Sequence, residues 1–199
     1  MKQLQVRYGE AQNTLLTDGQ YICVEGKDGA GTVSIGKMRK GFLCVEHIFP
    51  ARLGRGGMGK LREGDDKTPL GIYRIGDAYG IKENPGCVLP YHKIEEDMYW
   101  CEKKGIFYNR IVRNTKQEET RTDRAGRIGE HLIEYVPEYH YFLDIGYNSE
   151  QAEGKGSAIF LHCFGAGDTT KGCIAVAEED MITILRWIQE GTKIRIEEL

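Results

Sequence analysis

With 199 residues, 40% of them hydrophobic, the chain can bury one full core and does not need to split into two domains. A formal charge of −3 supplies no general basic field, which argues against a nucleic acid partner. No stretch approaches the roughly 18 uninterrupted apolar residues of a membrane helix. Six cysteines, at 23, 44, 87, 101, 163 and 173, lack C-x-x-C spacing and read as mostly free thiols rather than a disulfide framework.

In chain order, the first quarter predicts short alternating strands over Leu4–Tyr8, Gln20–Glu25, Gly31–Ile35 and Phe42–Glu46. Turns at Asp18-Gly19, Lys27-Asp28-Gly29 and Lys40-Gly41 make them hairpins. We read residues 1–199 as one domain in which 1–20 adds an N-terminal β segment. The run Leu53-Gly-Arg-Gly-Gly-Met-Gly-Lys60 mimics a nucleotide-binding loop but fails on context. A P-loop needs Ser or Thr after its lysine, where Leu61 stands, and the dinucleotide fingerprint needs a helix where Glu63–Pro69 is turn chemistry. Arg55, Lys60 and Arg62 are instead candidates to meet a peptide carboxylate, set against an ordinary solvated loop.

Thr68-Pro69-Leu70-Gly71 reads as a turn feeding a strand over Ile72–Ile75. Residues 80–104 are irregular and polar and predict a long surface excursion, with Glu95-Glu96-Asp97 as a solvated acidic face and not a metal site. A strand follows over Phe107–Val112. The charged segment Asn114–Arg127 reads as a solvated loop, with a flap over substrate as its functional alternative. Strands are expected over His131–Val136 and Tyr139–Ile145, the second ending at Gly146-Tyr147-Asn148. Ser157–Cys163 is an apolar run bounded by Gly156 and Gly165, hence a buried strand. Beyond Ile174–Val176, acids at 178–180 open a helix whose Met181, Ile184, Leu185 and Ile188 recur at helical spacing and which Gly191 ends. Thr192–Ile196 closes the chain as a strand. With 26 glycines and 11 tyrosines, the whole is mainly β with few helices.

The chemistry concentrates in Gly156–Asp180. His162 ends the apolar run, and after a loop Cys173 follows Gly172 directly. Successive strand residues point to opposite faces, so only one of His162 and Cys163 can face Cys173. A free thiol has a pKa near ~8.5 and attacks only as thiolate, so it needs a base within reach. His162 is the nearest candidate in sequence, and His131, His140, His47 and His92 have no cysteine paired with them locally. Gly172 lets backbone approach a ligand, and the N–H groups beside Cys173 are candidates to cradle an oxyanion. The bland alternative makes Cys173 a small buried hydrophobe and His162 a satisfied core histidine.

This segment resembles the L,D-transpeptidase (YkuD-type) catalytic domain, whose signature is a histidine, a loop, then Ser/Thr-x-Gly-Cys. Here those are His162 and Thr170-Lys171-Gly172-Cys173. The resemblance extends upstream through Gly64-Asp65-Asp66-Lys67-Thr68-Pro69-Leu70-Gly71 and Tyr147-Asn148, covering most of the chain after about Tyr21. Three departures stand out: Cys163 directly follows the histidine, alanine occupies position 175 where many members carry Arg or Asn, and the histidine-to-cysteine loop is short.

The resemblance implies a β-sandwich with a helix following the catalytic cysteine, and a cysteine acyltransferase that makes 3-3 cross-links between peptidoglycan stem peptides. It implies Cys173 as nucleophile, His162 as base and Gly172 in the catalytic turn, with Thr170, Lys171, Tyr147 and Asn148 as substrate contacts beside Arg55. No metal and no organic cofactor is implied. The substrate lies outside the membrane, so an extracytoplasmic setting is implied, although MKQLQVRYGE lacks a signal-peptide core and reads as unexported. Rival readings are an L,D-carboxypeptidase on the same bond, a catalytically silent wall-binding module, and zinc held by His162, Cys163 and Cys173.

Overall fold

The computed structural model describes residues 17–40, 42–113 and 129–199, together with the backbone of 5–7. Strands β1 to β5 are Gln5–Arg7, Gly19–Lys27, Ala30–Arg39, Phe42–Arg52 and Gly71–Arg74. Strands β6 to β10 are Ala78–Gly80, Tyr91–Lys93, Met98–Cys101, Arg110–Arg113 and Gly129–His131. Then come β11 (Phe142–Asp144), β12 (Phe160–Cys163), β13 (Ile174–Val176), helix α1 (Glu178–Trp187) and β14 (Lys193–Glu198). The main sheet runs β5-β14-β2-β3-β4-β13-β12-β11-β6-β7 and curls into a half-barrel, with β1 paired to β4 off that path. A second sheet has the order β10-β8-β9. The fold is thus mainly β, and its helix follows Cys173 as expected.

The N-terminal hairpin forms for the reason its sequence suggests. β2 and β3 pair from Gly19↔Met38 to Lys27↔Ala30, leaving Asp28 and Gly29 as a two-residue turn. Both have positive φ, 52° and 84°, as a tight turn of matching twist requires. β4 runs on to Arg52, past the expected end at Glu46. Pro50 falls between the segments where β4 meets β1 and β13, a stretch in which β3 is its one described strand neighbour, so the missing N–H is tolerated. The expected strand Leu4–Tyr8 is described only as Gln5–Arg7, and the segment Asn114–Arg127 lies outside the described residues, as does Gly41 of the Lys40-Gly41 turn.

Two cores flank β12 and β13. On one side Ile22, Val24, Val33, Ile35, Leu161 and Ile174 pack with Met181, Ile184 and Leu185 of α1. Burying each such side chain contributes roughly 1.5–3 kcal/mol. The helix ends at Trp187, earlier than Gly191, because Ile188 turns to extended backbone (φ −64°, ψ 148°) while staying 1% exposed. On the other side Phe160, Phe142, Tyr139, Tyr79 and Trp100 build an aromatic cluster.

That cluster explains where the sequence reading departs from the structure. The expected surface excursion over 80–104 contains β7 and β8 instead, and Met98, Trp100 and Ile94 are buried, with the Trp100 ring edge-on to Phe160 at 4.7 Å. The buried stretch Met98–Cys101 is only four residues long and flanked by Asp97 and Glu102, too short a signal to stand out. The expected strands over 131–136 and 139–145 are replaced in part by 3₁₀ turns at Leu132–Glu134 and Glu138–His140. Tyr139 therefore belongs to a turn, closed by its N–H to Tyr135 O at 2.8 Å, and its ring enters the cluster against Phe142.

Candidate active site

β12 and β13 are parallel neighbours in the register Leu161↔Ile174, His162↔Ala175 and Cys163↔Val176. Alternation then sends Leu161, Cys163, Ile174 and Val176 into the core under α1. His162, Cys173 and Ala175 emerge on the opposite side, lining one cavity of about 170 Å³. Cys163 is 1% exposed and its thiol faces Tyr141 O at 3.5 Å, so the set His162, Cys163 and Cys173 does not converge on a metal. Among the described residues, no three His, Cys, Asp or Glu side chains are grouped to hold one. All six cysteines are free.

The histidine's tautomer follows from its partner. Nδ1 lies 2.7 Å from the carbonyl of Cys163, which can only accept, so Nδ1 carries the proton and Nε2 is left as the basic nitrogen. Burial lowers the pKa of His162, opposed by that carbonyl and by Glu138, and the ring rests neutral. It packs edge-on to Tyr139 at 5.9 Å. The Cys173 thiol donates to Ala158 O at 3.2 Å and accepts from the Phe160 N–H at 3.3 Å. Burial pushes that thiol up to about 12, with the Phe160 N–H pulling the other way and the Glu130 charge adding to the rise. Both directions favour a neutral thiol and imidazole over an ion pair.

The turn before Cys173 is rigid. Thr170 Oγ1 donates to Cys173 O at 2.7 Å and accepts from the Gly172 N–H at 3.1 Å. Gly172 must be glycine: its φ is +130°, and a Cβ there would meet Lys67 O at 2.8 Å. Thr170 is tied by backbone bonds to Leu53 O and the Arg55 N–H, both 2.9 Å.

Thr68, fully buried, accepts the Gly54 N–H at 2.8 Å, which fastens the 64–71 motif to the glycine-rich run. The glycines of that run serve close backbone packing, since a Cβ at Gly54 would lie 2.4 Å from Asp66 O. Asp65 knots the same region. Burial alone would raise its pKa, but the Leu61, Arg62 and Lys67 N–H groups and Lys60 Nζ hold the carboxyl far below the usual range.

Of the sequence-predicted residues, the cavity brings together Cys173, His162, Thr170 and Lys171. Gly172 shapes the turn behind them, and its N–H is already engaged by Thr170. Arg55 is an exposed side chain paired with Asp66 at 2.6 Å, away from the cavity lining. Tyr147 donates its hydroxyl to Lys155 O, and Asn148, 4% exposed, spends its amide on Ala152 and Gly156, so both fix the loop before β12 rather than face the cavity.

Five lining residues have no sequence signal near the motif: Arg52, Glu130, Tyr135, Glu138 and Tyr139. Arg52 is the register partner of Ala175 on β4. It donates to Gly165 O at 3.0 Å and Gly167 O at 2.9 Å and lies 4.1 Å above the Phe164 ring, clasping the loop between His162 and Cys173. Reading β4 through to Arg52 is the one signal that leads to it.

A family profile described as "YkuD: L,D-transpeptidase catalytic domain" matches residues 10–196. A search of curated protein sequences returns no match. Among solved structures, the chain is similar to the helical cell shape determining protein Pgp2 from Campylobacter jejuni, at 14% identity and TM-score 0.51 over 91% of this chain and 48% of that one. The K307A mutant of Pgp2 gives 16% identity and TM-score 0.49 over 91% and 47%. Mycobacterium tuberculosis L,D-transpeptidase 1 gives 13% identity and TM-score 0.42 over 90% and 62%. The chain thus spans about half the length of the Pgp2 chains it resembles.

Proposed function

The chain belongs to the YkuD family of L,D-transpeptidase catalytic domains, and from that premise we propose that it is a single catalytic domain, with 1–20 as an added N-terminal β segment, that transfers peptidoglycan stem peptides through Cys173. The observation that carries this reading is the shared face of β12 and β13. It sets Cys173 and His162 in one cavity, with the proton of His162 fixed on Nδ1 by Cys163 O.

In the first half, Cys173 Sγ attacks the carbonyl of the third residue of a wall tetrapeptide while His162 Nε2 takes the thiol proton. The C–N bond to the terminal D-alanine breaks, and the imidazolium returns the proton to the departing amine. A thioester remains. In the second half the amine of another stem attacks it, loses a proton to Nε2, and the C–S bond breaks as the sulfur regains a proton. Burial favours the neutral form of both ring and thiol, so in this reading proton transfer and attack are coupled. Because Thr170 occupies the Gly172 N–H, the oxyanion donor we assign is the N–H of Cys173. Removing such a donor typically costs about 10²–10³ in rate. Such a substrate places the enzyme's work outside the membrane, in the cell envelope.

The test is incubation with disaccharide-tetrapeptide, with and without added acceptor stem, read by mass spectrometry. Loss of D-alanine with a cross-linked dimer supports the transferase. Loss of D-alanine with no dimer in either reaction means that water finishes the reaction and the enzyme is an L,D-carboxypeptidase. No loss at all favours a silent wall-binding module.

A further inference from the structure

The cavity around Cys173 also presents a carboxyl that acyl transfer does not use. Glu130, on β10, lines it half-buried, and its Oε2 accepts the hydroxyl of Tyr139. Tyr139 is 3% exposed and wedged against Phe142, Phe160 and His162, so the carboxyl is held by a side chain with little room to move. The charges that reach Glu130 are mostly of its own sign: Glu102 and Glu63 oppose its ionisation and Lys171 favours it. Burial leads these effects and brings its pKa to about 7.

A carboxylate beside a thiol nucleophile works against the thiolate, and Glu130 does raise Cys173. The other strong cation of the wall, Arg52, is committed to the carbonyls of Gly165 and Gly167. A positive group delivered by the substrate would pair with Glu130 and remove its field from the sulfur in one step. We propose that Glu130 is a specificity residue for a primary ammonium carried on the donor peptide, on the side chain of the residue whose carbonyl Cys173 attacks. The attacking amine is a poorer match. It must be neutral to react, and a carboxylate partner favours its charged form. This assignment rests on the acyl-transfer reading for the identity of the donor, and it names what the donor must carry.

The test is calorimetric binding at pH 8 in the Cys173→Ala background, where no turnover intervenes. The probes are two tetrapeptides ending in D-alanine, one with lysine third and one with Nε-acetyl-lysine third. The lysine peptide is expected to bind at least about 10-fold tighter, as truncating a partly buried ion pair typically does, and Glu130→Gln should bring the ratio to within about 2-fold. The same collapse is expected with Glu130 intact at pH 5.5, where the carboxyl is protonated and lysine is not affected, a readout independent of whether the variant folds. A merely structural Glu130 would move both peptides together. An unchanged ratio at pH 5.5 and in Glu130→Gln, equal affinities in the parent, or no binding of either peptide overturns the inference. D-alanine release by the protein with Cys173 intact tests the acyl-transfer reading separately.

Discussion

The two faces of the β12–β13 pair come from the same few residues and serve opposite ends. One face, with Leu161, Cys163, Ile174 and Val176, is sealed under α1, and the other, with Phe160, His162, Cys173 and Ala175, turns to the aromatic cluster and the cavity. Each face holds a free cysteine, and burial pushes both thiols up to about 12. Acidity therefore does not tell the two apart. What separates them is address: Cys173 shares a cavity with an imidazole whose Nε2 is available, while Cys163 meets the carbonyl of Tyr141 in a closed core. A shifted thiol pKa marks burial, and only the company it keeps marks chemistry.

Substituting the two cysteines in parallel puts the largest strain on that contrast. Cys173→Ala is expected to lower D-alanine release from disaccharide-tetrapeptide by at least about 10³-fold, as loss of a nucleophile does. Cys163→Ala should keep release within a few-fold and instead cost roughly 1–2 kcal/mol of stability by thermal unfolding, through lost core contact. Comparable loss of release in both variants would erase the distinction between the faces.

A smaller effect sharpens it. Because the thiol form of Cys173 is favoured well above the usual range, its thiolate fraction rises with pH and is scarce near neutrality. Alkylation of Cys173 by iodoacetamide should therefore climb about tenfold per pH unit from pH 7 to 10, mapped by peptide mass spectrometry. A plateau below pH 8 would mean a preformed thiolate and an ion pair with His162.

How much of this was legible beforehand depended on the length of each signal. The β2–β3 hairpin, the helix face of Met181, Ile184 and Leu185, and the opposition of His162 and Cys163 all follow from local periodicity and turn chemistry, and the structure bears them out. The run expected as a strand over Ser157–Cys163 is strand only over Phe160–Cys163, because Ala158 sits at φ 53°. The family likeness is legible in His162 with the short Thr170–Cys173 motif, in the 64–71 segment and in Tyr147-Asn148, and the profile match extends it over residues 10–196. Other features depended on distant partners. Tyr139 looked like a strand residue because an aromatic suits a sheet, yet it is held in a 3₁₀ turn by an aromatic cluster assembled from four separate segments. Arg52 and Glu130 reach the cavity from β4 and β10, and nothing near them in sequence marks that destination. Arg55, basic and beside glycines, reads as a candidate substrate contact, and what its sequence neighbourhood does not announce is that Asp66 meets its charge within the same loop.

The most direct measurement is a carbapenem challenge followed by intact-mass analysis and peptide mapping, since a strained acyl donor asks which sulfur the cavity makes nucleophilic. One adduct, mapped to Cys173 and missing from Cys173→Ala, is the expected result. An adduct on Cys163, or an unmodified protein after prolonged exposure, would contradict the assignment of the open face as the catalytic one.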